Sequence, residues 1–279
     1  MEIVVTLKTI EDINLAGDSF ILGTTFGVRN DIFTLEEIKY VKLNTNKNVY
    51  VNLDRVIHED ELDKLESFLN ELKKINVDGI YFSDLSIFTI SEDLGLIDKL
   101  IYNPGTLVTN YVDVQFYLTL GIKRVCLSRE ITLEDINEIM NHTKDVEVII
   151  HGKLNMFYSK RKLLTNFFSY TKQKIEKKGH LIEEIRDEKY PIIEDETGTH
   201  IFQGNTLNSF KELSEFNDIT VRIDGYLFDQ EYVEDVLNIY NEIRNGMNSS
   251  EAFNNYSVKY DSDELFSGYY YKETNYMKK

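Results

Sequence analysis

Ionisable side chains that could bind a ligand or transfer a proton stand directly after short apolar runs of the sequence. Asp84, Arg129 with Glu130, His151 and Asp224 each follow a run rich in β-branched residues, which is typical of a strand in a parallel sheet. All strands of a parallel barrel end at one face, so we expect these side chains to converge on one mouth. There Arg129 can hold a carboxylate bidentately and His151 can exchange a proton near neutral pH, which favours a small anionic ligand.

The apolar runs alternate with segments of helical period, a pattern that predicts strand-helix units around a parallel sheet. The predicted strands are residues 3–7, 19–23, 48–52, 79–82, 99–102, 124–127, 147–150 and 220–223. Eight strands favour the α/β class and a closed TIM-like (β/α)8 barrel, or a distorted version of it. Leu62, Leu65, Leu69 and Leu72 recur at helical spacing. We predict one barrel-like domain over residues 1–279, with an inserted excursion over 154–205 after the seventh strand and a tail over 260–279.

Composition limits the kind of protein. The 279 residues carry 48 acidic and 31 basic side chains, a formal charge of −17 that disfavours a broad nucleic-acid footprint. A length of this order is typical of one α/β barrel. No run of apolar residues is long enough for a signal peptide or a membrane span, so we expect a cytoplasmic protein with no membrane contact.

One local stretch departs from the acidic average. Between positions 153 and 178 the basic residues are Lys153, Lys160, Arg161, Lys162, Lys172, Lys174, Lys177 and Lys178, against Glu176 alone. Aromatic residues are interleaved with them, which suits RNA binding by charge and stacking. A solvated helix face over core aromatics explains the pattern equally well.

The sequence lacks the motifs of the common hydrolases and nucleotide-binding proteins. There is no Gly-x-Ser-x-Gly elbow, no His-Glu-x-x-His pair and no phosphate-binding glycine-rich loop. The lone cysteine, Cys126, lies in a predicted apolar strand, and we predict that its thiol is buried and structural. One cysteine excludes a thiolate iron-sulfur or zinc site built by this chain alone, and we predict no metal site. Taken singly, Glu147 and Asp224 are more typical of salt bridges or loop capping than of chemistry.

The segment Glu147-Val-Ile-Ile-His151-Gly152-Lys-Leu154 resembles the signature of the collagenase-like peptidase U-32 family. Other segments resemble family segments in the same order along nearly the whole chain: 17–18, Arg29, 77–84, 109–110 including Asn110, 121–130, 190–202, 222–225, 231–232 and 268–276. Despite the family's name, the chemistry that the resemblance implies is oxygen-independent hydroxylation of RNA bases or quinone precursors. Members acting on the wobble uridine of transfer RNA are thought to use prephenate and a four-iron four-sulfur cluster on four cysteines.

This chain departs from the family pattern at the cluster ligands. Asn155, Lys162 and Asn208 stand where cysteines are expected, and residues 172–178 replace a cysteine-rich turn. Tyr226 replaces an arginine. Asn and Lys offer no soft anionic donor for iron. The chain resembles a cysteine-poor branch encoded beside a cysteine-bearing homologue.

Our leading hypothesis is a cluster-free barrel subunit that works with the cysteine-bearing homologue in prephenate-dependent hydroxylation of the tRNA wobble uridine. We expect this chain to bind no cofactor of its own. The alternatives are a peptidase, as the family name implies, and a non-catalytic scaffold. The predicted roles are as follows: proton handling by His151 and Glu147; substrate binding by Arg129, Glu130, Asp84, Asn110 and Asp224; RNA or partner contact by Lys153, Lys160, Arg161 and Lys162.

Overall fold

The computed structural model describes residues 1–182 and 188–271. The strands in this part of the chain are β1 (Glu2–Thr6), β2 (Ser19–Gly23), β3 (Asn48–Leu53), β4 (Gly79–Phe82), β5 (Leu100–Tyr102), β6 (Arg124–Cys126), β7 (Val146–Gly152), β8 (Asn155–Ser159), β9 (Lys178–Ile182), β10 (Lys189–Glu194), β11 (Thr199–Phe202), β12 (Thr206–Asn208), β13 (Thr220–Ile223) and β14 (Leu265–Phe266). The α-helices are α1 (Leu35–Asn44), α2 (Leu62–Ile75), α3 (Leu85–Leu94), α4 (Tyr111–Thr119), α5 (Leu133–His142), α6 (Leu163–Thr171), α7 (Gln230–Arg244) and α8 (Ser249–Ser257). Short 3₁₀ turns occupy Ile10–Asn14, Glu59–Glu61, Ile97–Lys99, Leu213–Glu215 and Ser262–Glu264.

A closed parallel barrel is the centre of the fold. Strands β1 to β7 pair in sequence order, and β13 pairs in parallel with both β1 and β7, which closes the ring. Each of the eight predicted strands overlaps one of these barrel strands, so the predicted TIM-like α/β barrel is confirmed. The two-residue β14 pairs with β12, which runs antiparallel to the end of β7.

The helices begin and pack as the sequence pattern predicts. Thr34 caps α1 in a capping box with Glu37, and Thr132 caps α5 by accepting the amide hydrogen of Asp135. The apolar stripe of α2 is buried at Leu65, Leu69 and Leu72. Such stripes pack on the outer face of the barrel strands and form the main hydrophobic core.

The inside of the barrel is a second, smaller core with polar members. Its apolar part contains Val4, Ile21, Tyr50, Tyr81, Ile101 and Cys126. The buried side chains of Glu147, Arg124 and Arg222 complete it as an ion-paired group. The barrel is therefore filled below its mouth, and a ligand has room only above this layer.

Strands β8 to β11 form a separate antiparallel sheet in the order β8-β11-β10-β9, here called the outer sheet. It occupies the predicted excursion, apart from residues 183–187, which lie outside the described part. The main-chain oxygen of Asn155 in β8 accepts a hydrogen bond from Arg129 of the barrel, and Lys160 forms an ion pair with Glu61 at 2.7 Å. These contacts hold the outer sheet against the carboxyl ends of the barrel strands.

The domain boundaries stay a prediction. Of the predicted tail, residues 272–279 lie outside the described part, whereas Tyr270 before them is buried and donates or accepts a hydrogen bond with Ser209. No helix in the described ranges combines the length and apolar character that crossing a membrane requires.

Candidate anion-binding site at the barrel mouth

A small cavity lies at the carboxyl ends of the barrel strands, here called the mouth cavity. Its volume is about 40 Å³, which is space for about three water-sized groups. The polar side chains that matter for its chemistry are Arg29, Asp54, Asn103, Arg129, Arg222 and Asp224. Strand ends and the loops after them therefore bring three guanidinium groups to one hollow.

Two of these guanidinium groups have carboxylate partners. Arg29 Nη2 lies 2.8 Å from Asp54 Oδ2, and the other oxygen of Asp54 accepts the amide hydrogen of Val28 at 3.0 Å. Arg222 Nε lies 3.3 Å from Glu147 Oε1. Burial lowers the pKa of Arg222, but the charge of Glu147 and smaller contributions from other neighbours together outweigh it, so the pKa is raised. Both groups are neutralised within the protein.

Arg129 differs from them. Its Nη1 donates to the main-chain oxygen of Asn155 at 2.7 Å, and no carboxylate of the described residues lies within ion-pair distance. Burial, together with the charges of Arg29 and Arg222, lowers the pKa of Arg129 to about 10, although the more distant carboxylates of Asp224 and Asp54 act in the opposite sense. A positive group that its surroundings destabilise is stabilised when an anion binds beside it, so Arg129 makes this cavity a candidate anion site.

A second cavity, here called the outer cleft, adjoins the mouth cavity. Its volume is about 190 Å³, and it shares Arg29, Asp54, Asn103 and Arg129 with the mouth cavity. The rest of its wall comes from the loop 104–106 and from β8 of the outer sheet. Arg129 therefore lies between two separate hollows of different size.

The predicted convergence of strand-end residues is only partly observed. Arg129 and Asp224 line the mouth cavity. Asp84 instead caps α3 and accepts amide hydrogens from Ile57 and Ser86; these bonds lower its pKa although burial acts in the opposite sense. Asn110 caps α4 at the surface, and Glu130 is exposed beside the mouth cavity without lining it. Their side chains are engaged or directed elsewhere than the cavity.

His151 does not lie in the mouth, and the expectation that it shares a hollow with Arg129 is wrong. It is fully buried, with Nε2 2.8 Å from Tyr232 Oη and Nδ1 3.4 Å from Tyr240 Oη. The ring of Phe210 stacks near it with centroids 6.1 Å apart. Burial lowers the pKa of His151 to about 3, so the imidazole stays neutral and serves as a structural hydrogen-bonding group.

Glu147 lies inside the barrel, below the mouth cavity. Its carboxylate accepts a hydrogen bond from Tyr81 Oη at 2.7 Å and pairs with Arg124 at 3.1 Å as well as with Arg222. It therefore orients Arg222 under the cavity without reaching a ligand itself. The thiol of Cys126 lies 3.5 Å from the same carboxylate, and burial and that charge raise its pKa. This thiol is inert, and its contacts do not include His151, so they give the peptidase alternative no nucleophile-base pair.

The family's iron-sulfur cluster does not fit the residues that stand at its ligand positions. The amide nitrogen of Asn155 donates to the main-chain oxygens of Phe157 and Ile201, at 2.9 and 3.1 Å. Lys162 Nζ donates to the main-chain oxygen of Asp195, and Asn208 is buried in β12. Over the described ranges no group of His, Cys, Asp and Glu side chains is arranged to hold a metal ion.

The predicted RNA-contact residues divide into engaged and free side chains. Lys153 is bonded to the main-chain oxygen of Gly204, Lys160 to Glu61, and Lys162 to Asp195. Of these four residues, only Arg161 has an exposed side chain that forms no ion pair with another described residue. Three of the four therefore fasten the outer sheet.

Sequence reasoning missed part of the site. Asp54 and Asn103 were given no role, and Arg29 and Arg222 entered only as family matches. Arg222 stands in the middle of an apolar strand, and a charged residue at an inward position of a parallel barrel strand is a usable signal. Arg29 lies in a loop with a left-handed backbone, φ 53°, and nothing in the local pattern places it at the mouth.

Comparison with known proteins identifies a matching family and several relatives. The profile described as Peptidase family U32 matches residues 13–278. The "tRNA hydroxylation protein P2" of Bacillus subtilis is 32% identical over 225 residues, 77% of this chain and 72% of that protein. An uncharacterized protease of Methanocaldococcus jannaschii is 28% identical over 260 residues, 88% of this chain and 58% of that protein. The "tRNA hydroxylation protein P1" of Bacillus subtilis is 32% identical over 155 residues, 53% of this chain and 36% of that protein.

Among solved structures, N-(5'-phosphoribosyl)anthranilate isomerase from Pyrococcus furiosus is similar with a TM-score of 0.38 and 14% identity, over 53% of this chain and 76% of that one. The barrel described above is established by its own strand pairing.

Proposed function

The chain belongs to peptidase family U32, and we propose that it serves in hydroxylation of transfer RNA, where its mouth cavity binds a small carboxylate co-substrate such as prephenate. The observation that carries this proposal is Arg129, a guanidinium without a carboxylate partner that lies at the mouth with two paired arginines. The names of the relatives supply the reaction, and the cavity supplies the chemistry of the ligand.

The cavity dimensions support a ligand with one carboxylate and a ring-sized body. A carboxylate fits the space of about 40 Å³ beside Arg129, and the outer cleft of about 190 Å³ has room for the body. Arginine is the side chain best suited to hold a carboxylate, because its planar fork donates two parallel hydrogen bonds. Asn103 lines both spaces and offers a further donor.

We further propose that a cysteine-bearing homologue supplies the redox group. The positions where that group's ligands are expected in the family hold Asn155, Lys162 and Asn208, and hydrogen bonds within this fold engage all three side chains. Under this proposal the present chain binds the co-substrate and RNA. The oxidation itself takes place at the partner.

The proposal is tested by complementation. A strain lacking the gene should lose the hydroxylated wobble uridine, measured by mass spectrometry of tRNA nucleosides. The intact gene should restore it, and Arg129→Lys should not, because lysine keeps the charge and loses the two-pronged contact. Arg244→Lys, at an exposed position in the last turn of α7, serves as the matched control and should restore it fully. Unchanged hydroxylation in the deletion strain, or full rescue by Arg129→Lys, contradicts the proposal.

A further inference from the structure

Helix α6 and the turn after it present aromatic rings to solvent to an unusual extent. The helix has no buried residue, although its sequence is mostly apolar. Phe167 is 57% exposed and Tyr170 is 88% exposed. Because they are three positions apart, both rings lie on the same side of the helix. A protein does not usually leave two such rings uncovered side by side, so this face is suited to contact another molecule.

The lysines after α6 differ from those before it, because their ammonium groups are exposed and most form no ion pair within the described residues. Lys172, Lys177 and Lys178 are exposed and form no ion pair within the described residues. Lys174 pairs with Glu176, which is also exposed, at 3.2 Å. By contrast, the basic side chains nearer to β8 are bonded to the barrel and the outer sheet. The positive charge available to a partner therefore lies beside the exposed rings. We call Phe167, Tyr170 and these lysines the α6 platform.

The platform adjoins the mouth. Lys177 and Lys178 line a side cleft of about 730 Å³ between the outer sheet and the barrel. Arg29 and Tyr226 line the same side cleft and also the mouth cavity. The side cleft is also lined by five carboxylates, those of Asp31, Glu194, Asp195, Glu196 and Asp229, so an RNA strand is expected to stay on the platform and not to run along this cleft.

We propose that the α6 platform binds single-stranded RNA, with bases stacked on Phe167 and Tyr170 and phosphates beside the free lysines. Exposed rings next to lysines supply both contacts that unpaired nucleotides use, since every base has a face to stack and every phosphate a charge. The rest of this acidic chain repels RNA, so binding concentrates at this patch. The inference deepens the proposed role in tRNA hydroxylation by naming the RNA surface, and it rests on that role for its choice of RNA over an acidic protein.

The test uses the purified full chain and a labelled single-stranded oligouridylate, with affinity measured by fluorescence anisotropy. Phe167→Ala and Tyr170→Ala should each weaken binding by about tenfold, as expected for the loss of one stacked base. The exposed aromatic controls are Phe116→Ala on α4 and Tyr40→Ala on α1, at 58% and 47% exposure, and both should bind as the parent does.

Salt dependence separates the charge contribution. The slope of log affinity against log salt for a single strand is about −0.7 per phosphate neutralised, so replacing Lys172, Lys177 and Lys178 by alanine should flatten it by about 2. Replacing Lys39 and Lys64, exposed lysines of α1 and α2, is the matched control.

The outcomes are distinguishable from failure of the proposed function. Equal binding by the ring variants and their controls overturns the platform, whatever the complementation result. Binding of an acidic polypeptide in place of the oligouridylate, insensitive to ring removal, overturns it in favour of a protein partner. Ring-dependent RNA binding in a chain whose deletion leaves tRNA hydroxylation unchanged supports the platform and removes only the proposed reaction.

Discussion

Arg129 and His151 stand at the ends of neighbouring barrel strands, β6 and β7, yet the structure puts them in opposite environments. Arg129 reaches the mouth cavity, where no carboxylate in the described part of the chain lies within ion-pair distance of it. His151 is enclosed by tyrosine hydroxyls and aromatic rings beside α7 and α8, and its pKa falls to about 3. The side chain of Arg129 lines a cavity, whereas the side chain of His151 forms its hydrogen bonds inside the core.

The difference comes from the register of β7. Glu147 points into the barrel, and regular alternation would point His151, four positions later, the same way. The pairing between β7 and β13 shifts just before His151, because Arg222 pairs with Ile149 while Ile223 pairs with His151. One extra residue reverses the direction of the side chains that follow. A strand-end position in the sequence therefore does not by itself place a side chain in the mouth.

The largest effect is expected from the barrel interior beneath the mouth. Glu147→Ala leaves Arg124 and Arg222 buried without their shared counter-charge, which should lower the free energy of unfolding by about 3–5 kcal/mol. Urea denaturation followed by circular dichroism measures this. Glu138→Ala, at an exposed site on α5, is the control and should change stability by less than about 0.5 kcal/mol. A loss below about 1 kcal/mol for Glu147→Ala would show that the two arginines do not need the charge of Glu147 for stability.

The aromatic surroundings of His151 give the next largest effect. His151→Ala opens a cavity and removes the partner of two tyrosine hydroxyls, so the free energy of unfolding should fall by about 3 kcal/mol. His151→Phe keeps the ring volume, and both hydroxyls retain other partners, so its loss should be clearly smaller. Equal losses in the two variants would mean that packing is not what His151 contributes.

His151 also predicts a pH dependence of stability. Its pKa is lowered from 6.5 in the unfolded chain to about 3 in the fold. In that window the unfolded state binds the extra proton, so stability is full above pH 6.5 and falls as the pH drops, by up to about 1.4 kcal/mol per unit. His151→Phe should flatten the decline between about pH 7 and pH 5, where few carboxylates titrate. Parallel curves for parent and variant would contradict a buried, neutral imidazole.

Arg129 should affect stability least. Arg129→Met removes a guanidinium that has no carboxylate within ion-pair distance in the described part of the chain. The loss of its hydrogen bond to the main-chain oxygen of Asn155 is partly offset, because the repulsion from Arg29 and Arg222 is also removed. We expect the free energy of unfolding to change by less than about 1 kcal/mol in thermal or urea denaturation. A loss as large as that of His151→Ala would make Arg129 a structural residue like the others.

The sequence predicted the barrel because its signals are local and repeated. Each strand is a short β-branched run, and caps such as Thr34 and Thr132 mark helix starts by chemistry that needs no distant partner. Arg129 and Asp224 at the mouth followed from the same rule that parallel strands end together.

The rest of the site depends on long-range geometry that no local pattern contains. Arg29 and Asp54 meet at the mouth through loops from different barrel units, 25 positions apart in sequence. The inward-pointing Arg222 is fixed by its pairing with Glu147 from another strand. Asp84 and Asn110 were predicted as site residues, but each instead forms the N-cap of a helix.

The most direct test compares ligand binding at the two strand ends. Prephenate is titrated by calorimetry into the parent chain, Arg129→Lys and His151→Phe, each confirmed as folded. The account predicts that Arg129→Lys loses about 10- to 100-fold in affinity, as expected for broken hydrogen bonds to a charged group, and that His151→Phe binds as the parent does. Undiminished binding by Arg129→Lys, or a loss confined to His151→Phe, would contradict an anion site at the arginine-lined mouth.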